Sequence, residues 1–175
     1  MTTERANEID ALMSREQIRD VIYRYCRGID RVQLDLVRAC YHTDATDDHG
    51  DYRGGIDGFI PYLTTALAVW EHTTHFIGNV LIELTAPDYA RVESYAVAYH
   101  RRAARGESPA LDVTAWIRYV DDFERRTGVW RIATRVCLSD WTRTDAVPTR
   151  GWVRPASYTQ PRRDGGDPVF AERFR

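Results

Sequence analysis

The spacing of the apolar residues changes once along the chain, and this change limits the folds that the chain can adopt. Up to about residue 70 they recur every three or four positions, as in Ile18, Val21, Ile22 and Tyr25, which predicts helices. From His75 onward they alternate with polar residues, which predicts strands. Helices that all precede a set of long strands favour an α+β fold over an alternating α/β fold.

The first half of the chain predicts three helices. We expect the first to begin at Ser14, because Ser14 and Gln17 fit a capping box. A shorter helix follows with Val37 facing inward, and a third is predicted over residues 56–70. Residues 43–55, rich in Asp and Gly, predict loops and turns with room for one short strand.

The second half predicts four strands joined by short turns. They span residues 75–84, 91–101, 110–123 and 129–141. The Arg-Arg-Thr-Gly sequence at 125–128 predicts a hairpin turn between the last two. The sequence therefore predicts a cone, in which a curved mixed or antiparallel sheet packs on three N-terminal helices.

The chain divides into one domain with an extension at each end. We expect an N-terminal extension over 1–12, the domain over 13–141 and an extended tail over 142–175, where Pro, Gly and Arg are frequent. The tail is expected to pack on the body or on a neighbouring subunit. There Trp152 and Tyr158 are candidates for closing a pocket.

The absence of lysine excludes several kinds of chemistry. The 175 residues carry 24 basic side chains, all of them arginine. Schiff-base catalysis, attachment of pyridoxal phosphate and a phosphate loop with an essential lysine are therefore excluded. The sequence has no glycine-rich dinucleotide motif, and we expect no cofactor. A formal net charge of −2 gives no basic excess, so we expect no nucleic-acid partner.

The sequence shows no membrane or export signal. No run approaches the roughly 18 apolar residues that span a bilayer, and residues 1–8 lack the apolar core of a signal peptide. We therefore expect a cytoplasmic protein with no membrane partner. Cys26, Cys40 and Cys137 form no paired motif, which is typical of buried structural thiols.

Two histidines on neighbouring predicted strands are candidates for one cavity. His75 begins the first strand, and His100 follows Ser94 and Ala96 on one face of the second. Small side chains on that face leave room for a pocket. Strand alternation places Asn79 on the same face as His75.

Asp30 lies beside the apolar stripe of the first helix rather than opposite it. A buried carboxylate must be hydrogen-bonded or paired. Asp30 either caps a helix that begins near Arg31, or orients a histidine that acts as general base. In the second case the carboxylate would raise the basicity of the other imidazole nitrogen. The residues alone leave both interpretations open.

The segment from His42 to His49 is rich in His and Asp but fits no metal template. It matches neither the ligand spacing of zinc sites nor an EF-hand loop, so we expect no metal. His42 and His72 are expected to be core or rim residues. The sequence has no nucleophile elbow of the G-x-S-x-G type.

Four short motifs together resemble one known family. They are Gly28-Ile29-Asp30-Arg31, Asp47-Asp48-His49-Gly50, Thr74-His75-Phe76-Ile77-Gly78-Asn79 and Glu124-Arg125-Arg126-Thr127-Gly128-Val129-Trp130-Arg131. They are similar to those of the SnoaL-like branch of the nuclear transport factor 2-like superfamily. Within it they most resemble scytalone dehydratase and hexachlorocyclohexane dehydrochlorinase. The resemblance implies a cone with a deep hydrophobic pocket.

The resemblance also implies an Asp–His pair in that pocket, at Asp30 and His75 here. In the two enzymes the histidine removes a proton from a carbon, and a leaving group departs from the neighbouring carbon. His100 matches a second pocket histidine, and His49 matches a tyrosine that polarises the substrate. Arg135 matches an arginine near the leaving group.

We therefore expect a small-molecule lyase or isomerase. It would perform an elimination or a double-bond shift on a small hydrophobic substrate, cyclic or polyketide-like. The expected substrate-binding residues are Tyr23, Tyr52, Phe59, Asn79 and Trp116. Ile29 and His49 stand where the dehydratase has tyrosines, which argues for a different substrate.

Two other functions fit the same sequence. A polyketide cyclase would use the same acid–base pair. A non-catalytic binding or assembly protein, such as the small subunit of an aromatic-ring dioxygenase, would share the fold but need no base. For any of these, the alternating Tyr95, Val97 and Tyr99 predict an apolar outer face of the sheet and a homo-oligomer, a dimer or a trimer.

Overall fold

One curved mixed sheet of six strands packs on three helices. The computed structural model describes residues 2–147 and 155–171. The helices are α1 (Thr3–Asp30), α2 (Leu34–Ala39) and α3 (Ile56–Leu67), and the strands are β1 (Tyr41–Asp48), β2 (Arg53–Gly55), β3 (His72–Ala86), β4 (Tyr89–Arg102), β5 (Leu111–Arg126) and β6 (Val129–Ala146). The strand order is β2-β1-β6-β5-β4-β3, with β1 parallel to β6 and the other neighbours antiparallel. The predicted α+β fold is confirmed.

The first helix begins eleven residues before the predicted start, at Thr3 rather than Ser14. Its N-cap is Thr2, whose hydroxyl accepts a hydrogen bond from the N–H of Arg5 at 3.4 Å. The predicted start rested on the capping box at Ser14, which the structure places inside the helix, while Ile9, Leu12 and Met13 of the added turns keep a helical spacing but are exposed to solvent. No helix within residues 2–147 and 155–171 has the length and the apolar content that crossing a membrane requires.

Two strands, β1 and β2, occupy most of the segment expected to form loops. The inward-facing side chains of β1 include Ala45 and Asp47, both almost fully buried. Asp47 lies opposite Arg135 of β6 in the parallel register. A strand that buries a small residue and a carboxylate lacks the alternation of large apolar residues by which strands are recognised. This explains why the sequence did not reveal β1.

The core lies between the helices and the concave face of the sheet. From α1 it receives Ile18, Ile22 and Tyr25, and from α3 it receives Phe59 and Leu63. On β4 the alternating residues Val92, Ser94, Ala96 and Ala98 are all buried against them, as the sequence predicts.

A fully buried ion pair joins β5 and β6. The guanidinium of Arg135 donates to both carboxylate oxygens of Asp121, with distances of 2.8 and 2.7 Å. The rings of Tyr25 and Tyr119 lie 4.2 Å from the guanidinium carbon. Burial by itself would lower the pKa of Arg135, but the Asp121 carboxylate raises that pKa well above its ordinary value. Arg135 therefore stays charged inside the core.

We expect Asp121→Asn to destabilise the protein strongly. The substitution leaves the Arg135 charge buried without its counter-charge, which costs about 3–5 kcal/mol. Urea unfolding followed by circular dichroism measures this loss directly.

Asp122→Asn is the matched control for this measurement. Asp122 is the next residue, and it pairs at the surface with the exposed Arg91 at 3.1 Å. Loss of such a pair is expected to cost less than about 1 kcal/mol. Equal losses for the two variants would contradict a stabilising role for the buried pair.

Candidate functional site

Asp30, the last residue of α1, contacts His75 near the start of β3. The ring nitrogen Nδ1 of His75 lies 2.8 Å from Oδ1 of Asp30. The main-chain N–H of His75 donates to Oδ2 of the same carboxylate at 2.9 Å. The side chains of His75 and Asp30 are only 7% and 13% exposed. One residue thus supplies both hydrogen bonds, and the carboxylate fixes the orientation of the ring.

The carboxylate of Asp30 remains ionised despite its burial. Burial raises the pKa of Asp30, but hydrogen bonds from the ring and main chain of His75 and from the Thr73 hydroxyl lower it by more, so the net pKa is below its ordinary value. An ionised carboxylate at Nδ1 holds the proton of a neutral imidazole on that nitrogen. Nε2 of His75 is then left free to accept a proton.

A pocket of about 350 Å³ opens beside this pair, between α1, β3 and the C-terminal tail. Its lining residues are Tyr23, Cys26, Arg27, Asp30, Arg31, His75, Phe76, Ile77 and Val169. This volume is at the lower end of the range of small-molecule sites. Cys26 supplies no nucleophile, because burial raises the pKa of its thiol to about 12.

His100 lies next to His75 on the neighbouring strand. Their ring centroids are 5.8 Å apart in an edge-to-face arrangement, and the ring of Trp70 lies 5.0 Å from His100 on another side. Burial, together with the positive charge of His75 when its ring is protonated, lowers the pKa of His100 to about 4. At neutral pH His100 is therefore uncharged and does not compete for the Asp30 carboxylate.

His49 forms a second carboxylate–imidazole pair at the end of β1. Its Nδ1 lies 3.2 Å from Oδ1 of Asp47, and the hydroxyl of Tyr41 donates to Oδ2 of the same carboxylate at 2.6 Å. The side chain of His49 is 24% exposed. The ring packs on Phe59 at 5.4 Å. Across the sheet β1 is separated from β3 by three strands, so the structure does not join His49 to the pair at His75.

Arg135 does not lie in the pocket that contains His75. Its side chain has no exposed surface, and its partners are Asp121 and the tyrosine rings of the core. A substrate would therefore have to enter the core to reach the guanidinium that the resemblance places near the leaving group.

Of the five expected substrate-binding residues, Tyr23 reaches the pocket. It is half exposed at the rim. Tyr52 instead lies beside Phe59 and Tyr62, and its hydroxyl donates to the main-chain oxygen of Gly55 at 2.5 Å. Phe59 is fully buried in the core and offers no surface to a ligand.

Asn79 and Trp116 are also displaced from the expected face. The pairing of β3 with β4 shifts register between Ile77 and Val80, so that Val80 rather than Asn79 continues the inward face of His75 and Ile77. Asn79 is exposed. Trp116 lies on the opposite, outer face of the sheet, stacked on Trp141 at 3.6 Å. An irregularity of one residue cannot be read from period-two alternation.

The sequence predicted that the tail packs on the body, but it pointed to other residues than those that lie at the pocket. Val169 lines the pocket, and the guanidinium of Arg163 bonds to the main-chain oxygen of Asp30 at 3.3 Å. Tyr158 is exposed to solvent, and Trp152 lies outside the described residues. The tail shows no periodicity, and no local pattern distinguishes Arg163 from the other arginines of the chain.

The His- and Asp-rich segment around β1 is used for structural contacts. Nε2 of His42 lies 2.9 Å from the main-chain oxygen of Glu124, and Asp44 pairs with Arg126 at 2.6 Å. Within the described parts of the chain, no three His, Cys, Asp or Glu side chains converge as metal ligands would.

The match to a known family covers most of the chain. The family model of the SnoaL-like domain matches residues 10–136. No curated protein matches the chain in sequence.

Solved structures share this architecture at low identity. A protein from Novosphingobium aromaticivorans DSM 12444, provisionally named a scytalone dehydratase, is 18% identical with a TM-score of 0.69, over 87% of this chain and 99% of that one. A hexachlorocyclohexane dehydrochlorinase from Novosphingobium barchaimii LL02 is 18% identical with a TM-score of 0.72, over 85% and 99%. A provisionally named aromatic ring hydroxylase from Novosphingobium aromaticivorans is 20% identical with a TM-score of 0.68, over 78% and 94%. These likenesses show a common fold alone.

We expect the stability of the protein to fall as the pH decreases from about 6.5 to about 4. The pKa of His100 is about 4 in the folded chain against an ordinary value of 6.5. Between these values the unfolded chain binds the proton and the folded chain does not, so acid favours unfolding. The shift corresponds to at most about 3.5 kcal/mol.

Urea unfolding at pH 6.5 and pH 4.5 measures this effect, and the His100→Asn variant is the comparison. The variant has no imidazole to protonate, so its free energy of unfolding should change less between the two pH values. The same change in wild type and variant would contradict the assignment to His100.

Proposed function

The chain belongs to the SnoaL-like domain family, and from this premise we propose that it is a cofactor-independent lyase or isomerase of small molecules. In this proposal His75 is the general base and Asp30 is the group that orients it. The observation that carries the proposal is the 2.8 Å contact between Nδ1 of His75 and the Asp30 carboxylate, at the wall of a pocket. A carboxylate that only capped a helix would accept hydrogen bonds from main-chain N–H groups, whereas Asp30 also bonds to the imidazole ring of His75.

The proposed reaction begins with proton removal from a carbon of the substrate by Nε2 of His75. The electron pair of the broken C–H bond forms a double bond to the neighbouring carbon, and a leaving group departs with its own electron pair. In an isomerisation the pair instead delocalises into a carbonyl, and the imidazolium returns the proton to a different carbon. The Asp30 carboxylate stabilises the imidazolium that forms in either case.

The neighbouring groups support a proton-transfer role for His75. His100 stays neutral at physiological pH, so it adds no positive charge against the imidazolium. Ile77 and Val169 give the pocket an apolar wall that suits a small cyclic or polyketide-like substrate. Arg135 has no part in the proposal, because its side chain is buried with Asp121.

The alternative functions make different demands on the same residues. A polyketide cyclase would also need His75 as base and would differ in forming a carbon–carbon bond. A non-catalytic binding protein would need the pocket but no proton transfer. A proton-exchange experiment separates the last alternative from the first two.

We expect His75→Gln to abolish proton transfer while leaving the fold intact. Loss of a general base lowers the rate by about 10²–10⁴-fold. The experiment follows deuterium incorporation by NMR when the protein is incubated in D₂O with a panel of small cyclic ketones and β-hydroxy ketones. Asp30→Asn should also slow the exchange, because the ring loses the carboxylate that orients it.

His42→Gln is the matched control, since His42 contacts the Glu124 main-chain oxygen outside the pocket. It should exchange deuterium at the wild-type rate. If the His75→Gln variant kept the wild-type rate on a substrate that the protein turns over, His75 would not be the base. Binding of panel members without any exchange would favour the non-catalytic function.

We also propose that the protein forms a homo-oligomer through the outer face of its sheet. Phe76, Tyr95 and Trp141 are large apolar residues exposed on that face, and Phe76 is 71% exposed. Contiguous apolar surface of this kind is uncommon on monomers.

We expect Tyr95→Asp to dissociate the oligomer in sedimentation experiments, because the substitution places a charge in that surface. Tyr158→Asp in the tail, the control, should leave it intact, and a monomeric wild type would contradict the proposal.

A further inference from the structure

The C-terminal tail inserts one arginine at the junction of two helices and the first long strand. The guanidinium of Arg163 donates to five oxygens. They are the main-chain oxygens of Asp30 at 3.3 Å, Ile29 at 3.5 Å, Leu67 at 3.2 Å and Trp70 at 2.6 Å, and the hydroxyl of Thr73 at 3.4 Å. Arg163 thus connects the ends of α1 and α3 with the start of β3.

Two helix ends explain why an arginine is favoured at this point. The last carbonyls of a helix lack partners within the helix, and the helix dipole places partial negative charge there. The planar guanidinium has five N–H groups and can serve several such carbonyls at once. Burial lowers the pKa of Arg163, and the Asp30 carboxylate opposes this effect.

Three hydrogen bonds of Arg163 connect it, directly or through one further residue, to the surroundings of the Asp30–His75 pair. It holds the main-chain oxygen of Asp30 itself, and it donates to Thr73, whose hydroxyl in turn helps to keep the pKa of Asp30 low. Through Trp70 it holds the residue whose ring packs on His100. The position of the carboxylate relative to the imidazole therefore depends on a residue outside the matched segment 10–136.

Further contacts hold the tail around Arg163 in place. The carboxylate of Asp167 accepts hydrogen bonds from the N–H groups of Arg162 at 3.0 Å and of Val169 at 3.1 Å. It also lies 3.6 Å from the guanidinium of Arg31, directly after α1. The guanidinium of Arg27 lies over the ring of Phe170 at 5.5 Å. These contacts place Val169 in the wall of the pocket.

We propose that the tail is part of the acid–base site, and that Arg163 is the positioning residue that fixes Asp30 against His75. This inference rests on the proposed function for its catalytic meaning, but its structural content can be tested without a substrate. Its expected signature is a change in the imidazole of His75 when Arg163 alone is replaced.

The test is NMR of the ¹⁵N-labelled full-length protein, with the His75 ring signals assigned from the His75→Gln variant. In the wild type we expect a single Nδ1-protonated tautomer and a slowly exchanging Nδ1 proton. In Arg163→Met the exchange of that proton with solvent should become about tenfold faster or more, because the hydrogen bonds to the main-chain oxygen of Asp30 and to the Thr73 hydroxyl are lost. Arg163→Lys keeps the positive charge but lacks the planar guanidinium. Its exchange rate for the Nδ1 proton should therefore lie between those of the wild type and of Arg163→Met.

Arg162→Met is the matched control. Arg162 is the adjacent residue, and its guanidinium pairs with the exposed Asp164 in the same turn of the tail. It should leave the His75 signals unchanged. Unchanged signals in Arg163→Met, or equal changes in both variants, would overturn the proposal. If circular dichroism shows that Arg163→Met does not fold, Arg163→Lys replaces it in the test. Unchanged His75 signals in Arg163→Lys would then overturn the proposal.

Failure of the two proposals can be told apart. If His75→Gln abolishes proton exchange on a substrate while Arg163→Met leaves the His75 ring unchanged, the function stands and the positioning role of Arg163 is wrong. If Arg163→Met loosens the His75 ring but His75→Gln retains full activity, the tail positions the pair and the pair is not the base.

Discussion

A carboxylate at the buried end of a helix needs hydrogen-bond partners, and the partners of Asp30 link the parts of the molecule. Both of its oxygens accept hydrogen bonds from one residue of β3, through the ring and the main chain of His75. The contact therefore joins the last turn of α1 to an edge strand of the sheet. The pocket lies beside this junction, and the tail packs against it. A helix ending elsewhere would lose all three features.

The chain also contains a fully buried arginine–carboxylate pair, and the comparison shows why the pair of Asp30 and His75 is the better candidate for proton transfer. Arg135 and Asp121 are also hydrogen-bonded through two contacts, but arginine stays protonated and the pair has no exposed surface. Such a pair can only stabilise the fold. Imidazole changes its charge near neutral pH, and His75 keeps a second nitrogen that Asp30 does not use. Proton transfer is therefore expected at His75 and not at Arg135.

The sequence predicted those features that depend on repeated patterns. The helical and strand periods gave the α+β fold, and the position of Asp30 beside an apolar stripe marked it as a residue that needs a partner. A single irregularity within a strand could not be predicted in this way. One register shift in β3 places Asn79 on a different face of the sheet from His75. The strand β1 buries Asp47 where a large apolar residue would have signalled a strand. Long-range contacts of the tail leave no local pattern at all, so Arg163 could not be distinguished.

The segment that shows the family does not contain all the residues of the candidate site. The matched segment ends at residue 136, and it contains Asp30, His75 and His100. Val169 and Arg163, which complete the wall and the support of the pocket, lie beyond it. In the proposed function the tail therefore takes part in substrate choice, because Val169 is one of the apolar residues that line the pocket beside His75.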